Sequence, residues 1–282
     1  MPITVNDLSY QYTDAAHSTT ALSHVTFTIE EGSFFAIAGH TGSGKTTLVQ
    51  HLNGLIPCTE GTITVDGHSL ADKKERSIAR ALVGMVFQYP EYQLFAETVF
   101  DDIAFGPKNL KLPENDVKER VLKSMELVGL DPEQFREKSP FELSGGEKRR
   151  AALAGVLAMQ PKYLVLDEPM AGLDPIGRQS ILALLERLRS EFGTTIIMIS
   201  HSMEDIARHA TMLLVLDHGQ IAYLDRPEIV FEHAEELFRL GLSVPQATYL
   251  GMLLKQKGFD VPKSANNAEA LARWLKEKID HA

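Results

Sequence analysis

The stretch Gly39-His40-Thr41-Gly42-Ser43-Gly44-Lys45-Thr46-Thr47 constrains the architecture of this chain more than any other. It fits the G-x-x-x-x-G-K-[ST] pattern, and its flanks have the character that pattern needs. The apolar run 34–38 reads as a buried strand, and Leu48, Val49 and Leu52 make an apolar stripe at helical spacing behind the loop. Strand, glycine loop and helix follow one another. The glycines permit a backbone that turns successive N–H groups inward, and the helix start adds unpaired N–H groups and the positive end of its dipole. Such a loop cradles the α- and β-phosphates of a nucleotide. Lys45 is then expected to bridge the β- and γ-phosphates, the Thr46 hydroxyl to ligate Mg2+, and Thr47 to stand as a second hydroxyl.

Further along, Tyr163-Leu164-Val165-Leu166-Asp167-Glu168 reads as a buried strand ending in adjacent carboxylates. That pattern forces the charges to the carboxyl edge of an open α/β sheet, where ligands bind. Side chains alternate along a strand, so the two acids should point in different directions: Asp167 to the Mg2+ shell, Glu168 to a water. Thr194 to Ser200 is a further buried strand and ends in His201. The run Leu82 to Phe87 reads as a strand that delivers Gln88, whose amide can bond both the Mg2+ shell and a water. Ser144-Gly145-Gly146-Glu147 opens a helix over 148–159 and, by the same dipole argument, makes a second anion-binding end. Ala171 to Pro175, containing Asp174, forms a turn before a helix with Ile181, Leu184, Leu185 and Leu188 on its apolar face.

The remaining segments frame these motifs. Ile3, Val5 and Leu8 read as strand, 14–20 as a loop, and Leu22 to Ile29 as an alternating, half-buried strand of an antiparallel sheet. Tyr10 and Tyr12 precede the loop, and Tyr12 is a candidate to stack on a nucleotide base, with core packing as the alternative. Gly61 to Gly67 is a second alternating strand, 68–80 is polar and basic, and 91–142 is a helical insertion in which Val117, Val121, Met125 and Val128 recur at helical spacing. Met212 to Leu216 and Gln220 to Leu224 read as a hairpin about Asp217-His218-Gly219. Beyond 226 the character changes to short helices. Asn266 and Glu269 resemble a capping box, and Leu271, Trp274, Leu275 and Ile279 form a face that must pack on this subunit or on a second one.

Composition narrows the partners. With 28 basic and 38 acidic residues the net charge is −10, the wrong sign for binding nucleic acid or anionic lipid directly. A membrane location would therefore have to be held by another protein. No apolar stretch approaches the roughly 20 residues of a membrane span, and the N-terminus lacks a secretory pattern, so a cytosolic face is expected. The single cysteine, Cys58, excludes an internal disulfide.

In order, the phosphate loop 39–47, Gln88, Leu143-Ser144-Gly145-Gly146-Glu147, the pair Asp167 and Glu168, Leu173-Asp174 and His201 resemble the motifs of the ATP-binding cassette family. Closer stretches are 39–45, 50–55, 87–95, 103–107 and 154–159, which look like the ATPase subunits of energy-coupling factor transporters, most of all the second of the pair, written A-prime. Two positions depart from the family: Glu147 stands where Gln is usual, and Met170 where Thr is usual. The resemblance implies an α/β fold: a P-loop NTPase core with a mainly parallel sheet flanked by helices, an N-terminal antiparallel β subdomain, a helical signature subdomain at about 91–159, and a small helical C-terminal extension. The cassette would occupy 1–225 and the extension, a dimerisation element, 226–282. It further implies an ATPase, with ATP and Mg2+ as cofactors, that powers a vitamin or other micronutrient importer. It would pair with a sister ATPase on a transmembrane coupling subunit and a substrate-binding membrane subunit, peripherally at the cytoplasmic face of the cell membrane, without nucleic acid. Glu168, His201 and Gln88 would be catalytic; Thr46, Gln88 and Asp167 would hold the metal; Tyr12, residues 39–47, Ser144, Gly145, Gly146 and Asp174 would bind nucleotide, with the signature of one chain closing the site of the other. In that family the coupling subunit presents arginines to a groove near the segment after Gln88, which here carries Glu91, Glu97, Asp101 and Asp102. The ATPase of a different importer, or a soluble cassette ATPase acting on nucleic acid or ribosomes, are the competing readings.

Overall fold

The computed structural model describes residues 1–13, 18–262 and 267–280. Among them the strands run in chain order as β1 (Ile3–Thr13), β2 (Ser18–Ile29), β3 (Phe34–Gly39), β4 (Glu60–Val65), β5 (His68–Ser69), β6 (Val83–Val86), β7 (Tyr163–Asp167), β8 (Thr195–Ile199), β9 (Met212–Asp217) and β10 (Gln220–Asp225). They divide into an antiparallel sheet in the order β2-β1-β4-β5 and a larger sheet in the order β10-β9-β3-β8-β7-β6. In the larger sheet every pairing is parallel except that of β10 with β9.

Hydrophobic patterning explains the layers. Along β2, Val25, Phe27 and Ile29 are buried while Thr26 and Thr28 are exposed, so this sheet covers the core with one face and meets water with the other. By contrast β3, β7 and β8 are buried at every position, as strands covered on both faces must be. Alternation in β3 sends Phe35 and Ile37 into the core shared with Val5, Phe27 and Ile63 of the antiparallel sheet. Phe34 faces the other way, into a second core built from the helices Val99–Asn109, Glu114–Leu127, Gly145–Leu157 and Pro175–Phe192. The helix Lys45–Leu52 contributes Leu48, Val49 and Leu52 to the first core, which fixes the start of that helix at the end of β3. The expected face of Val117, Val121, Met125 and Val128 is buried in the second core.

Several expectations are revised. Ser18 to Thr20 belong to β2 rather than to a loop. The strand before Gln88 begins at Val83, and residues Lys73–Leu82, expected only to be polar, form a helix capped by the Asp72 carboxylate, which accepts from the N–H groups of Lys74 and Glu75. Only Ala79 is fully buried in that helix, but Ile78, Ala79 and Leu82 share one face at helical spacing. Asn266 lies outside the described residues; Asn267 Oδ1 accepts from the Ala270 N–H at 2.9 Å and caps the last helix. The helices after residue 226 are not uniform in their packing. Val230, Phe231 and Leu237 share a core with Ala36, Leu213 and Val215 of the large sheet, whereas Gln246–Gln256 and Ala268–Asp280 meet over Ala247, Val261 and Leu271, with Trp274 and Leu275 against them.

Where the helix Gly145–Leu157 reaches the edge strand β6, Gly84 leaves no room for a side chain: a Cβ there would lie 2.7 Å from Val156 Cγ1 and 2.8 Å from Pro161 Cγ. Gly84→Val should lower stability by about 1–3 kcal/mol through overpacking. Urea denaturation with an unchanged midpoint would show that this contact does not seat the helix.

Candidate functional site

The phosphate loop leaves β3 at the carboxyl edge of the sheet, between β9 and β8, where ligands of open α/β sheets bind. Gly44 sits at φ +104, and a Cβ on it would lie 2.4 Å from the Ala21 carbonyl oxygen, so glycine is required by both conformation and space. Gly44 also occupies the N-cap of the helix Lys45–Leu52 without any side-chain cap, which leaves the first N–H groups of the helix to face a ligand. Ser43 Oγ is fully buried without a hydrogen-bond partner in the same loop. Gly42 carries φ +82 with open space around its Cβ position. These groups fit an oligophosphate: uncapped donors, an unpartnered hydroxyl and a cation. The cation is Lys45, whose Nζ donates to the carbonyls of Gly39 at 2.8 Å and His40 at 2.9 Å. Burial lowers its pKa while the charges of Glu168 and Asp167 oppose that shift.

Thr46 Oγ1 donates to Asp167 Oδ2 at 2.9 Å, so two residues far apart in sequence present a hydroxyl and a carboxylate side by side. Oxygen donors of this kind suit a hard divalent cation. Burial pushes the Asp167 carboxyl up from its ordinary value, and the nearby Glu168 charge adds to that, against the Thr46 bond and the Lys45 charge. Glu168 lies beyond β7 and adopts φ +49, a left-handed backbone unusual outside glycine. The divergence of the two acids therefore comes from this backbone turn as much as from strand alternation. The turn aims Glu168 at two partners: His201 Nε2 stands 2.7 Å from Oε1, and Gln88 Nε2 donates to Oε2 at 3.2 Å. Three residues singled out separately in the sequence thus form one hydrogen-bonded group. A cleft of about 150 Å³ beside it is lined by Glu168, Met170, Arg178 and His201.

Tyr12 stands at the rim, its hydroxyl 3.2 Å from Thr47 Oγ1 and its ring edge-on to Tyr10. At 44% exposure it offers a flat face next to the phosphate-loop helix. His40 packs its ring against His218 and approaches Asp217, and Thr41 accepts from it through its carbonyl. Ser144 caps the helix Gly145–Leu157 in a reciprocal box: its N–H and Oγ donate to Glu147 Oε2 at 2.8 and 2.7 Å, and it accepts from the Glu147 N–H. Gly145 and Gly146 form the exposed first turn of that helix, with open space around both Cβ positions. The bonds from Ser144 hold the Glu147 carboxyl below its ordinary pKa, so it is ionised at neutral pH. Asp174 caps the helix Pro175–Phe192 through the Gly177 N–H at 2.7 Å. Among the described residues no hydrogen bond joins Ser144 or Asp174 to the loop 39–47.

The sequence places Arg149 in the basic run 148–150 without showing what it binds. Its guanidinium grips Glu91 with Nε and Nη2 at 3.1 and 3.0 Å, and Nη1 donates to the Ala171 carbonyl at 2.8 Å. It is almost fully buried and ties the segment after Gln88, the helix begun at Ser144 and the turn after Glu168 to one point. Two of the other acids after Gln88 are also engaged: Asp102 accepts from the N–H groups of Phe95 and Ala96, and Asp101 binds Thr98 and Lys108. Of the four acids offered as an arginine-docking set, three are committed within the chain.

A nucleotide-phosphate loop, a strand-end carboxylate pair and a glycine-turn helix start on this fold define a P-loop ATPase of the cassette type. A profile of the ABC transporter family matches residues 22–171, and the chain belongs to that family. It is similar to the energy-coupling factor transporter ATP-binding protein EcfA2 of Clostridium perfringens, at 55% identity over 242 residues covering 86% of this chain and 85% of the relative. Similarity to the protein of that name from Clostridium acetobutylicum is 47% over 284 residues, 100% of this chain and 99% of the relative. Among solved structures it resembles cbiO1 of Clostridium perfringens, described as part of the ABC transporter complex cbiONQ, with TM-score 0.73 and 35% identity over 88% of this chain and 97% of that one. The dimeric cassette MJ0796, bound to ADP and Pi in a post-hydrolysis state, gives TM-score 0.71 at 27% identity over 80% and 98% of the two chains. The activity of this class is ATP hydrolysis. Among the described residues no helix is long and apolar enough to cross a membrane.

Arg149→Met should cost about 3–5 kcal/mol, because Glu91 and the Ala171 carbonyl lose their partner in a nearly dry site. Chemical denaturation would measure it. A loss within error of zero would mean that the three segments are held by other contacts.

Proposed function

We propose that this chain is the ATP-hydrolysing subunit of an energy-coupling factor importer, working beside a sister ATPase on a transmembrane coupling subunit that carries a substrate-binding membrane protein. The observation that carries the catalytic reading is the placement of Glu168, bonded to His201 and Gln88, next to the Thr46 and Asp167 pair. Thr46, Asp167 and Gln88 would hold Mg2+, which would offset charge on the phosphate oxygens. Lys45 and the N–H groups of residues 42–47 bind the phosphates, and Tyr12 stacks on the base. Each oxygen of Glu168 has one bond to a side chain and a lone pair to spare for a water. As the water oxygen bonds to the γ-phosphorus, the bond to the bridging oxygen breaks and Glu168 takes the proton, while His201 contacts the γ-phosphate.

The half-site logic rests on two anion-binding ends. Ser144 bonds to Glu147 and, through its carbonyl, to the Lys148 N–H, all within its own helix turn, so the exposed helix start at Gly145 and Gly146 would cap a nucleotide held by the partner's loop, with Asp174 in the adjoining turn. The relatives' name and the printed context of cbiO1 support a membrane assembly, and a chain without a spanning helix would sit at the cytoplasmic face through protein contacts. With Glu91, Asp101 and Asp102 engaged internally, docking falls to the exposed rings of Tyr92, Phe95 and Phe105 rather than to an acidic row.

Glu168→Gln should retain ATP binding and slow turnover about 10²-fold or more in the assembled transporter; near-normal turnover would refute the role of Glu168. Lys45→Ala should abolish nucleotide binding by calorimetry, and unchanged affinity would refute the cradle. Glu147→Gln keeps the cap but removes a charge beside the partner's phosphate, so on a Glu168→Gln background it should raise the ATP-dependent dimer fraction seen by size exclusion. A fraction unmoved by that change and by Ser144→Arg alike would sink the half-site arrangement. Purification from membranes tests the assembly: recovery with the subunits of another importer would favour that reading instead.

A further inference from the structure

His40, in the phosphate loop, and Asp217 and His218, at the β9–β10 turn, bring three possible ligand atoms within 4.8 Å of one another. Their hydrogen bonding is incomplete in a particular way. His40 Nδ1 stands 2.8 Å from the Thr41 carbonyl oxygen, which can only accept, so that nitrogen carries the proton. Nε2 of the same ring stands 3.0 Å from Asp217 Oδ1, and with no proton on it both atoms are acceptors. Either a second ring proton or a bound cation lies between these two atoms. His218 Nε2 approaches the same oxygen at 3.7 Å, and the two imidazoles lie 4.8 Å apart. A second proton on His40 would serve the His40–Asp217 pair alone, whereas one divalent cation draws on all three groups.

We propose that His40 Nε2, Asp217 Oδ1 and His218 Nε2 form a three-ligand site for a divalent transition-metal cation of the zinc type, bridging the phosphate loop and the β9–β10 turn. Ligands about 2.0–2.2 Å from a tetrahedral zinc stand about 3.3 Å from one another. The two separations to Asp217 Oδ1, 3.0 and 3.7 Å, bracket that value, and the two histidine ligand atoms lie within 4.8 Å of each other. Two imidazoles and one carboxylate suit zinc and its neighbours far better than Mg2+, which prefers oxygen alone. The bond from His40 Nδ1 to a carbonyl orients the ring and its tautomer as the outer partner of a metal-bound histidine does. The two segments are also held in place before any ion arrives: the Gly219 N–H donates to the Ser43 carbonyl at 3.0 Å, and the Gly219 carbonyl accepts from the Ser23 N–H at 2.9 Å. The site is separate from the Thr46 and Asp167 pair, and it stands or falls independently of the hydrolytic mechanism.

The test is calorimetric titration of zinc chloride into the nucleotide-free full chain at neutral pH in a non-chelating buffer, comparing it with Asp217→Asn and His218→Asn. His218 has φ +45, where asparagine is tolerated, so the second variant removes the ligand and keeps the turn. Unchanged thermal melts without zinc would establish that both variants are folded. One site per chain is expected, weakened about tenfold or more by each substitution, with excess Mg2+ failing to displace zinc. Equal zinc affinity in all three proteins, or no binding to the unaltered chain, would overturn the proposal.

Discussion

The backbone register of the parallel sheet decides where the chemistry sits. Ile37 of β3 and Asp167 of β7 both pair with Ile199 of β8, and Val86 of β6 pairs with Leu166 of β7. The strands therefore end level, and the residues just past their ends, the loop from Gly39, Glu168, His201 and Gln88, arrive at one edge. A slip of one residue would turn each inward side chain to the opposite face, and both cores forbid it: Phe35, Ile37, Val165 and Ile197 belong to one, Phe34, Leu164, Leu166 and Ile196 to the other. Core packing on two faces is thus what sets catalytic geometry at the edge.

Local strain and charge refine what the register places. Glu168 holds a left-handed backbone that a β-strand would not give it, and it is held there by its N–H to the Ile199 carbonyl and by the Ala171 N–H on its own carbonyl. The side chain is then fixed from two directions by neighbouring strand ends. At the other anion-binding end, the Glu147 carboxylate engages Ser144 through both N–H and hydroxyl. Glutamine could cap the same turn without charge. An ionised group at this point raises the electrostatic cost of bringing any phosphate close to this helix start.

Much of this was legible in the sequence because the informative segments are locally self-consistent. The buried runs before Gly39, Gln88, Glu168 and His201 are apolar without interruption, and each is followed by polar or glycine residues, which identifies a covered parallel sheet and its active edge together. What stayed hidden depends on partners distant in the chain. Arg149 lies in a basic run with no partner nearby in sequence; only folding brings Glu91 and the Ala171 carbonyl to it. The helix Lys73–Leu82 has only Ile78, Ala79 and Leu82 on its apolar face, a short signal among charged residues. Asp102 reads as a docking charge and serves instead as a backbone cap for residues 95 and 96.

Arg149 also gives the motifs a mechanical relation. Its guanidinium is planar and grips Glu91 at two points while donating to a backbone carbonyl in a third direction, so the three segments cannot move independently without leaving a buried polar group unmatched. The segment carrying Glu91 leads directly to the exposed Tyr92, Phe95 and Phe105. The carbonyl at Ala171 lies three residues past Glu168, and its own N–H donates to the Glu168 carbonyl. In the proposed assembly, displacement of the aromatic surface by a docked subunit would be felt at the helix beginning with Gly145 and at the carboxylate turn through one side chain. A rigid ionic joint of this kind transmits position rather than affinity, which is what a chain needs if force applied at its surface is to alter the geometry around the γ-phosphate.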